Sequence, residues 1–329
     1  MSGTTVSTDW NAVFDLAMAL AQEAGEELRR RFGQPLTITL KSDLDPVTDA
    51  DYAADAIICA GIEARFPTHT IQSEEQHIEV TSAPVHWIID PLDGTVNYAH
   101  GFPHFAVSIA VADTHGVRVG VIYDPMRQEL FATLRGQPSH LNGILMRVST
   151  ATDLSRSLLA TGFPYDRHLK DDNNHREFAA LNLSSQGVRR PGAAALDLAY
   201  VACGRLDGYW EQDLSPWDVA AGALLVTHAG GRLSTYTGDP FDGVGHQIVA
   251  SNGPLHDAML AKLTSARQII KALPFSTFSL YFFNQSTLTA LFRHVVDDNE
   301  CVDSTIWPSL ATELCSAPIG PRAADRLPP

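Results

Sequence analysis

The sequence is short of cysteine and of positive charge, and each shortage narrows what the chain can do. Its four cysteines, Cys59, Cys203, Cys301 and Cys315, are scattered without a Cys-x-x-Cys pair. That spacing indicates neither a zinc site nor a disulfide framework, and it fits reduced structural cysteines in a cytoplasmic protein. Lys and Arg number 23 against 38 Asp and Glu, a formal net charge of −15. A surface of that sign repels nucleic acid and anionic membrane, so neither is an expected partner. Met1 to Trp10 is polar and holds no apolar leader segment. Phe275 to Phe292 is apolar and aromatic, yet Ser, Thr, Asn and Gln interrupt it too often for a membrane span. There is no internal repeat and no long low-complexity tract. What remains is an ordinary globular composition, 45% hydrophobic and 19% charged over 329 residues, enough for two subdomains and a substantial core. A protein this acidic that acted on an anion would need local positive charge, for which bound cations are the obvious source.

Periodicity supplies the elements. Trp10, Val13, Phe14, Ala17, Met18 and Ala21 recur at three- and four-residue steps and predict a helix, with Thr8 and Asp9 placed to start it. A second helix is predicted from Thr48, with Ala54, Ile57, Ile58, Ile62 and Phe66 inward, a Thr48/Asp51 capping pair at its start and Pro67 at its end. Val85 to Ile89 is a short apolar run that reads as a buried strand stopping at Asp90-Pro91. Phe105 to Ala112, Val117 to Tyr123 and Glu129 to Leu134 read as strands joined by short turns, which favour antiparallel pairing. Beyond Leu145 the pattern is mixed. Strands are predicted at Leu158 to Thr161, Gly208 to Glu211 and Gln247 to Ala250, and helices at Asp172 to Leu181, Ala193 to Cys203 and Val219 to Ala229, the last stopped by Gly230-Gly231. From Ser265 the texture changes, and Ala317 to Pro329 reads as disordered.

Three acidic clusters carry the chemistry. Asp90 and Asp93 sit three apart in Trp87-Ile88-Ile89-Asp90-Pro91-Leu92-Asp93-Gly94-Thr95, at the exit of the buried strand. Asp-Pro and Asp-Gly are also ordinary turn pairs, so this segment alone reads more readily as a turn than as a site. Ser73-Glu74-Glu75 follows Thr70-Ile71-Gln72 at a strand end, and alone reads as a solvated acidic loop. Asp218 follows Ser215-Pro216-Trp217, and alone reads as a helix N-terminal acid. Taken together, so many hard oxygen donors suit Mg²⁺, which keeps waters and bridges to phosphate oxygens.

Four segments in order resemble the inositol monophosphatase family. Trp87 to Tyr98 is similar to its first signature, and Trp217-Asp218-Val219-Ala220-Ala221-Gly222, continuing to Ala229-Gly230-Gly231, to its second. The Glu74-Glu75 pair lies upstream at the family's spacing, and Asp45-Pro46-Val47-Thr48-Asp49-Ala50-Asp51 resembles its N-terminal motif. The resemblance covers Trp10 to Leu263. It implies a layered αβαβα sandwich of the inositol monophosphatase and fructose-1,6-bisphosphatase type, with two or three Mg²⁺ per site. Glu74, Asp90 and the Leu92 carbonyl would hold the first ion, Asp90, Asp93 and Asp218 the second, with Glu74 facing a weaker third. Thr95, hydrogen-bonded to Asp51, would orient the attacking water, and Lys41 would lie near the metal–phosphate site. The N–H groups of Gly94 and Thr95, if they open a helix, would bind phosphate oxygens. Lithium inhibition and a homodimer are implied in the same way.

The stretch Gly192-Ala193-Ala194 to Glu211 is similar to the family's substrate-binding region. Small residues there would admit a polyol to the backbone, and Glu211 would accept from its hydroxyls. Ala195 and Leu198 read better as helix packing. Two positions depart from the family pattern: Ala193 stands where Ser or Thr is common, and His228 where Glu is usual. The expected substrate is a small-molecule phosphate, inositol monophosphate. Histidinol phosphate, 3′-phosphoadenosine 5′-phosphate and fructose-1,6-bisphosphate are the alternatives, and a non-catalytic binding protein on the same fold is a further one. Residues 1–145 are expected to form a half with an antiparallel sheet and most metal ligands, 146–264 a half with substrate contacts, and 265–329 an atypical tail.

Overall fold

A computed structural model describes residues 8–42, 44–76, 83–243 and 246–268. Cys301, Cys315, the Phe275 to Phe292 stretch and the expected disorder from Ala317 lie outside the described residues. Cys59 and Cys203 are free thiols.

Helix α1 (Trp10–Arg31) starts where Asp9 accepts from the N–H groups of Asn11 and Ala12, at 3.1 and 3.2 Å. Strands β1 (Ile38–Ser42) and β2 (Asp45–Thr48) form an antiparallel hairpin. It escaped the sequence reading because every residue of β1 is exposed, so Ile38 and Leu40 mark no buried face. Helix α2 (Asp49–Arg65) opens with the predicted capping box of Thr48 and Asp51.

A seven-stranded sheet follows, in the order β3 (Thr70–Ser73), β4 (Val85–Asp93), β5 (Ala106–Asp113), β6 (Gly116–Asp124), β7 (Glu129–Leu134), β8 (His140–Leu141) and β9 (Ile144–Leu145), with the short helix α3 (Thr95–Ala99) after β4. All its pairs are antiparallel except β3 with β4. The remaining elements are β10 (Leu158–Thr161), α4 (His175–Ser184), β11 (Gly187–Arg189), α5 (Ala194–Ala202), β12 (Gly208–Gln212), α6 (Pro216–His228), β13 (Arg232–Ser234), β14 (Gln247–Ser251) and α7 (His256–Gln268). The five strands among them form a mixed sheet in the order β11-β10-β12-β14-β13, with β10 parallel to both β11 and β12. Helix α7, which the sequence reading did not anticipate, takes in residues 265 to 268, where the tail was expected to begin.

The layering follows from strand alternation. In β5, Val107, Ile109 and Val111 pack with α1 and α2, while Ala106, Ala110 and Ala112 pack with α5 and α6. In the second sheet, Tyr209 and Ala250 face α5 and α6, while Trp210 and Val249 face α4 and α7. The two sheets thus sandwich α5 and α6, and each carries a helix pair on its outer face. This is the expected αβαβα sandwich, and it explains why central strands read as continuous apolar runs.

The middle layer is tight. A Cβ on Gly120 of β6 would lie 2.7 Å from the Ala221 carbonyl oxygen and 3.3 Å from its Cα, all backbone atoms of α6. Gly120→Ala should therefore destabilise the protein by about 1–3 kcal/mol, through overpacking that no side-chain rotation relieves. A lowered midpoint in urea unfolding would report it, and an unchanged midpoint would mean that α6 shifts freely on the sheet.

Candidate active site

Strand β4 runs four residues beyond the end predicted for it. Pro91 has no N–H to give to the ladder, yet pairing resumes at Asp93 after a register shift. Asp90 pairs with Ser108 and Asp93 with Ala106, so β4 holds two residues between them where β5 holds one. That is a β-bulge. In a regular strand, side chains three apart point to opposite faces. The extra residue cancels this, because Ser108 and Ala106 are two apart and share a face. Asp90 and Asp93 therefore both point towards α5 and α6, while Leu92 packs into the core under α1 and α2.

Other elements bring their acids to the same face. Parallel pairing sets Ser73 beside Ile89, and the Glu74 N–H donates to the Ile89 carbonyl at 3.1 Å, which seats Glu74 next to Asp90. Pro216 opens α6, and Asp218 in its first turn accepts from the Ser215 N–H at 2.7 Å. Asp93 accepts from the N–H groups of Ala194 and Ala195, at 3.2 and 2.8 Å. It thus caps α5 across the site. Ala193, the N-cap residue, is only 1% exposed and has no side-chain oxygen to do so. Gly94 links the two regions with φ of 95°, a left-handed conformation that favours glycine, and a Cβ there would crowd the carbonyls of His104 and Gly192 at 3.1 and 3.3 Å. It is the N-cap of α3, so the Gly94 and Thr95 N–H groups do stand at a helix start.

Thr95 and Asp51 are hydrogen-bonded, as the resemblance implies. Thr95 Oγ1 lies 3.0 Å from Asp51 Oδ1 and 3.0 Å from the Leu92 carbonyl oxygen. The second oxygen of Asp51 accepts from the Thr48 N–H and hydroxyl, at 2.9 and 2.6 Å. One carboxylate therefore closes the cap of α2 and fixes Thr95.

Lys41, on the exposed hairpin strand, reaches over to Glu74 Oε1 at 2.9 Å and Glu75 Oε1 at 2.7 Å. Glu211, on β12, accepts from the Tyr209 hydroxyl at 2.6 Å. Its carboxylate lies where a side chain on Gly162 would be, with both oxygens 2.1 Å from a Cβ built there. His228 is tied by Nδ1 to the Thr133 hydroxyl at 2.8 Å, a structural contact. Tyr165 went unnoticed in the sequence, where Gly162-Phe163-Pro164 marks only a strand end. Burial, together with the charges of Asp45, Glu74, Asp218 and Asp93, drives its hydroxyl pKa above the ordinary phenol range. Asp197 also went unnoticed; it is buried in α5 with Oδ1 lacking a hydrogen-bond partner.

Burial dominates the electrostatics. It pushes Asp90 well above the usual carboxylate range, reinforced by Glu74, Asp93 and Asp218. Asp218 rises for the same reason, with Asp93 and Glu74 the nearest contributing charges. Burial lifts Asp93 to about 7 against the two α5 amides, Glu211 to about 7, Glu75 to about 7 and Asp51 to about 6. Among the described residues, no three His, Cys, Asp or Glu side chains converge into a ready-made ligand cluster. Each acid is held instead by its own backbone or side-chain donors. An ionised carboxylate offers about four lone-pair sites, so capacity for a cation remains after these bonds.

Two stacked sheets with a shared helical layer, and a crease of repelling carboxylates at the end of the bulged strand, define a layered α/β protein. The chain belongs to the inositol monophosphatase family, whose model matches residues 9–269. It is 43% identical over 263 residues to an inositol-1-monophosphatase of Synechocystis sp., covering 79% of this chain and 92% of that one. It is 44% identical over 254 residues to the Nus factor SuhB of Escherichia coli K12, covering 76% and 95%. Among solved structures, an inositol monophosphatase from Anabaena superposes with a TM-score of 0.72 at 42% identity, covering 78% of this chain and 97% of the other. An IMPase from Thermotoga maritima gives a TM-score of 0.73 at 30% identity, covering 79% and 99%.

The raised pKa values fix a pH dependence. Carboxyls of an unfolded chain titrate near about 4. Between that value and about 7 the folded protein keeps protons on Asp93 and Glu211 that the unfolded chain has released. The contribution of these groups to stability is therefore greatest at the acid end and falls as pH rises through 7. In EDTA, calorimetry should find a higher Tm at about pH 5.5 than at about pH 8. The opposite order would mean that the site carboxylates stay ionised at low cost.

Proposed function

We propose that the chain is a Mg²⁺-dependent phosphomonoesterase that hydrolyses inositol monophosphate, converting myo-inositol 1-phosphate to myo-inositol and phosphate. The bulge in β4 is the observation that carries the reading, because it turns Asp90 and Asp93 to one face beside Glu74 and Asp218. The donor set fits a hard cation: all are oxygens, and their mutual repulsion is relieved by positive charge. Glu74, Asp90 and the Leu92 carbonyl would hold one Mg²⁺, Asp90, Asp93 and Asp218 a second, and Glu74 would face a third. Bound there, Mg²⁺ supplies positive charge to the phosphoryl oxygens and makes water a better nucleophile.

The chain's own groups do the rest. Asp51 accepts a hydrogen bond from the Thr95 hydroxyl, which leaves the Oγ1 lone pairs to accept a hydrogen bond from the attacking water and aim its oxygen at phosphorus. The Gly94 and Thr95 N–H groups bind phosphate oxygens. Glu211 accepts from ring hydroxyls, and the backbone of Gly192, Ala193 and Ala194 lies against the polyol. Two basic residues that could meet a second phosphate are engaged elsewhere. Arg205 makes a two-bond pair with Glu129 at 2.5 and 2.6 Å, and Lys170 pairs with Asp166 and Asp213. This favours a monophosphate over fructose-1,6-bisphosphate. Arg190 is the basic group whose charge reaches Glu211.

The deciding experiment is phosphate release from inositol 1-phosphate, histidinol phosphate, fructose-1,6-bisphosphate and 3′-phosphoadenosine 5′-phosphate, with and without Mg²⁺. Turnover of inositol 1-phosphate should require Mg²⁺ and fall at least about a hundredfold in Asp93→Asn, since even residues that only support a ligand cost 10–100-fold. Glu211→Gln should raise KM more than it lowers kcat. Preference for another member of the panel would replace the substrate named here. Inhibition by Li⁺ and a homodimer in solution belong to the same reading.

The relatives named Nus factor SuhB carry a second reading, a role as a Nus factor. The charge of −15 argues against a basic nucleic-acid face and says nothing against a protein partner. A folded, Mg²⁺-binding protein that turned over no member of the panel would favour it.

A further inference from the structure

Helix α2 sends two buried carboxylates, one turn apart, towards the site. Asp51 serves Thr95. Asp55, four residues on and 2% exposed, has no role in the reaction described above. Its Oδ1 accepts from the Ser73 hydroxyl at 2.5 Å, and its Oδ2 from the Gln76 side-chain amide at 2.5 Å. Cys59 Sγ approaches Oδ1 at 3.6 Å from the next turn of α2. Ser73 and Gln76 are the residues immediately before Glu74 and immediately after Glu75. The two oxygens of one carboxylate thus grip both ends of the acidic pair. Past Ser73 the pair is no longer on β3, and the Glu74 N–H to Ile89 carbonyl bond ties its backbone to the sheet. Lys41, which touches both acids from the other side, sits on a hairpin strand with no buried residue and cannot serve as a rigid anchor.

We propose that Asp55 is a positioning residue that fixes Glu74 for the cation, so that it sets Mg²⁺ affinity and leaves the chemical step alone. An acceptor with two oxygens is needed because both grips are donors. A preorganised ligand loses less freedom when the ion arrives, and its partners' removal weakens metal binding. The inference rests on the Mg²⁺ reading of the site, and goes beyond it to a residue that touches neither ion nor substrate.

Gln76→Ala removes the far grip at a surface position without opening the core, and Asp55→Asn keeps the side chain's shape while replacing one acceptor with a donor. Mg²⁺ binding to the metal-free protein is measured by calorimetry without substrate, alongside the Mg²⁺ dependence of turnover. Gln76→Ala should weaken Mg²⁺ binding about tenfold, raise the half-saturating Mg²⁺ to match, and leave kcat at saturating Mg²⁺ within about twofold. Adding Asp55→Asn to Gln76→Ala should weaken binding by less than the product of the two single effects, because both act through one bond. Unchanged Mg²⁺ affinity in folded Gln76→Ala overturns the proposal, as does a loss of kcat that extra Mg²⁺ does not restore. If Asp55→Asn fails to fold, Gln76→Ala alone decides. Wild-type protein that binds Mg²⁺ without hydrolysing any phosphate ester ends the phosphatase reading and leaves this one standing. Wild-type protein that binds no Mg²⁺ overturns both.

Discussion

Burial and mutual repulsion disfavour charge on Asp90, Asp93 and Asp218 in the crease they share with Glu74, and much of the surrounding architecture holds all four there regardless. Each is restrained by a bond that belongs to an element of the fold. Asp218 closes the first turn of α6, Asp93 the first turn of α5, Asp90 accepts the Leu92 N–H at 3.0 Å, and Glu74 is tied to β4 through its own N–H. The repulsion is thus offset locally by oriented amides, which favour the ionised forms, while burial favours the protonated ones. The balance leaves Asp93 at about 7 and holds Asp90 and Asp218 well above the usual carboxylate range, so a divalent ion that binds there displaces protons.

The same bonds join the two sheets. Asp93 leaves the seven-stranded sheet and ends on the helix that packs under the five-stranded one. Asn97 adds to this: its Nδ2 reaches the Pro191 carbonyl at 2.9 Å and the His104 carbonyl at 2.8 Å. The site is therefore also a seam. Geometry that sets the carboxylates and geometry that keeps the layers in register cannot be altered separately.

Much of this was legible in the residues, and the reasons differ by feature. The caps of α1 and α2 could be read because Asp9, Thr48 and Asp51 act within their own turns. The central strands could be read because they are apolar runs cut by turn residues, while the sandwich they form came from the family resemblance. The bulge could not, since nothing in Asp90-Pro91-Leu92-Asp93 distinguishes a strand that ends from one that slips a residue and resumes. Asp93 as the cap of α5 was equally hidden, because donor and acceptor are 101 and 102 residues apart. The β1–β2 hairpin has no apolar face on β1, and helix α7 has only a narrow one of Met259, Leu263 and Ala266 beside His256. Tyr165 was missed because a half-exposed aromatic after a Gly-Phe-Pro turn carries no mark of what it faces.

The bulge has one further consequence, for which changes to this stretch can be tolerated. An apolar replacement of Pro91 or Leu92, one for one, would leave the pair facing the same way. A one-residue insertion or deletion between them would rotate one aspartate through the sheet and bury a lone charge among Trp87, Ile89 and Val107. The segment is constrained by its length before its composition, so drift within it should proceed by substitution and almost never by indel.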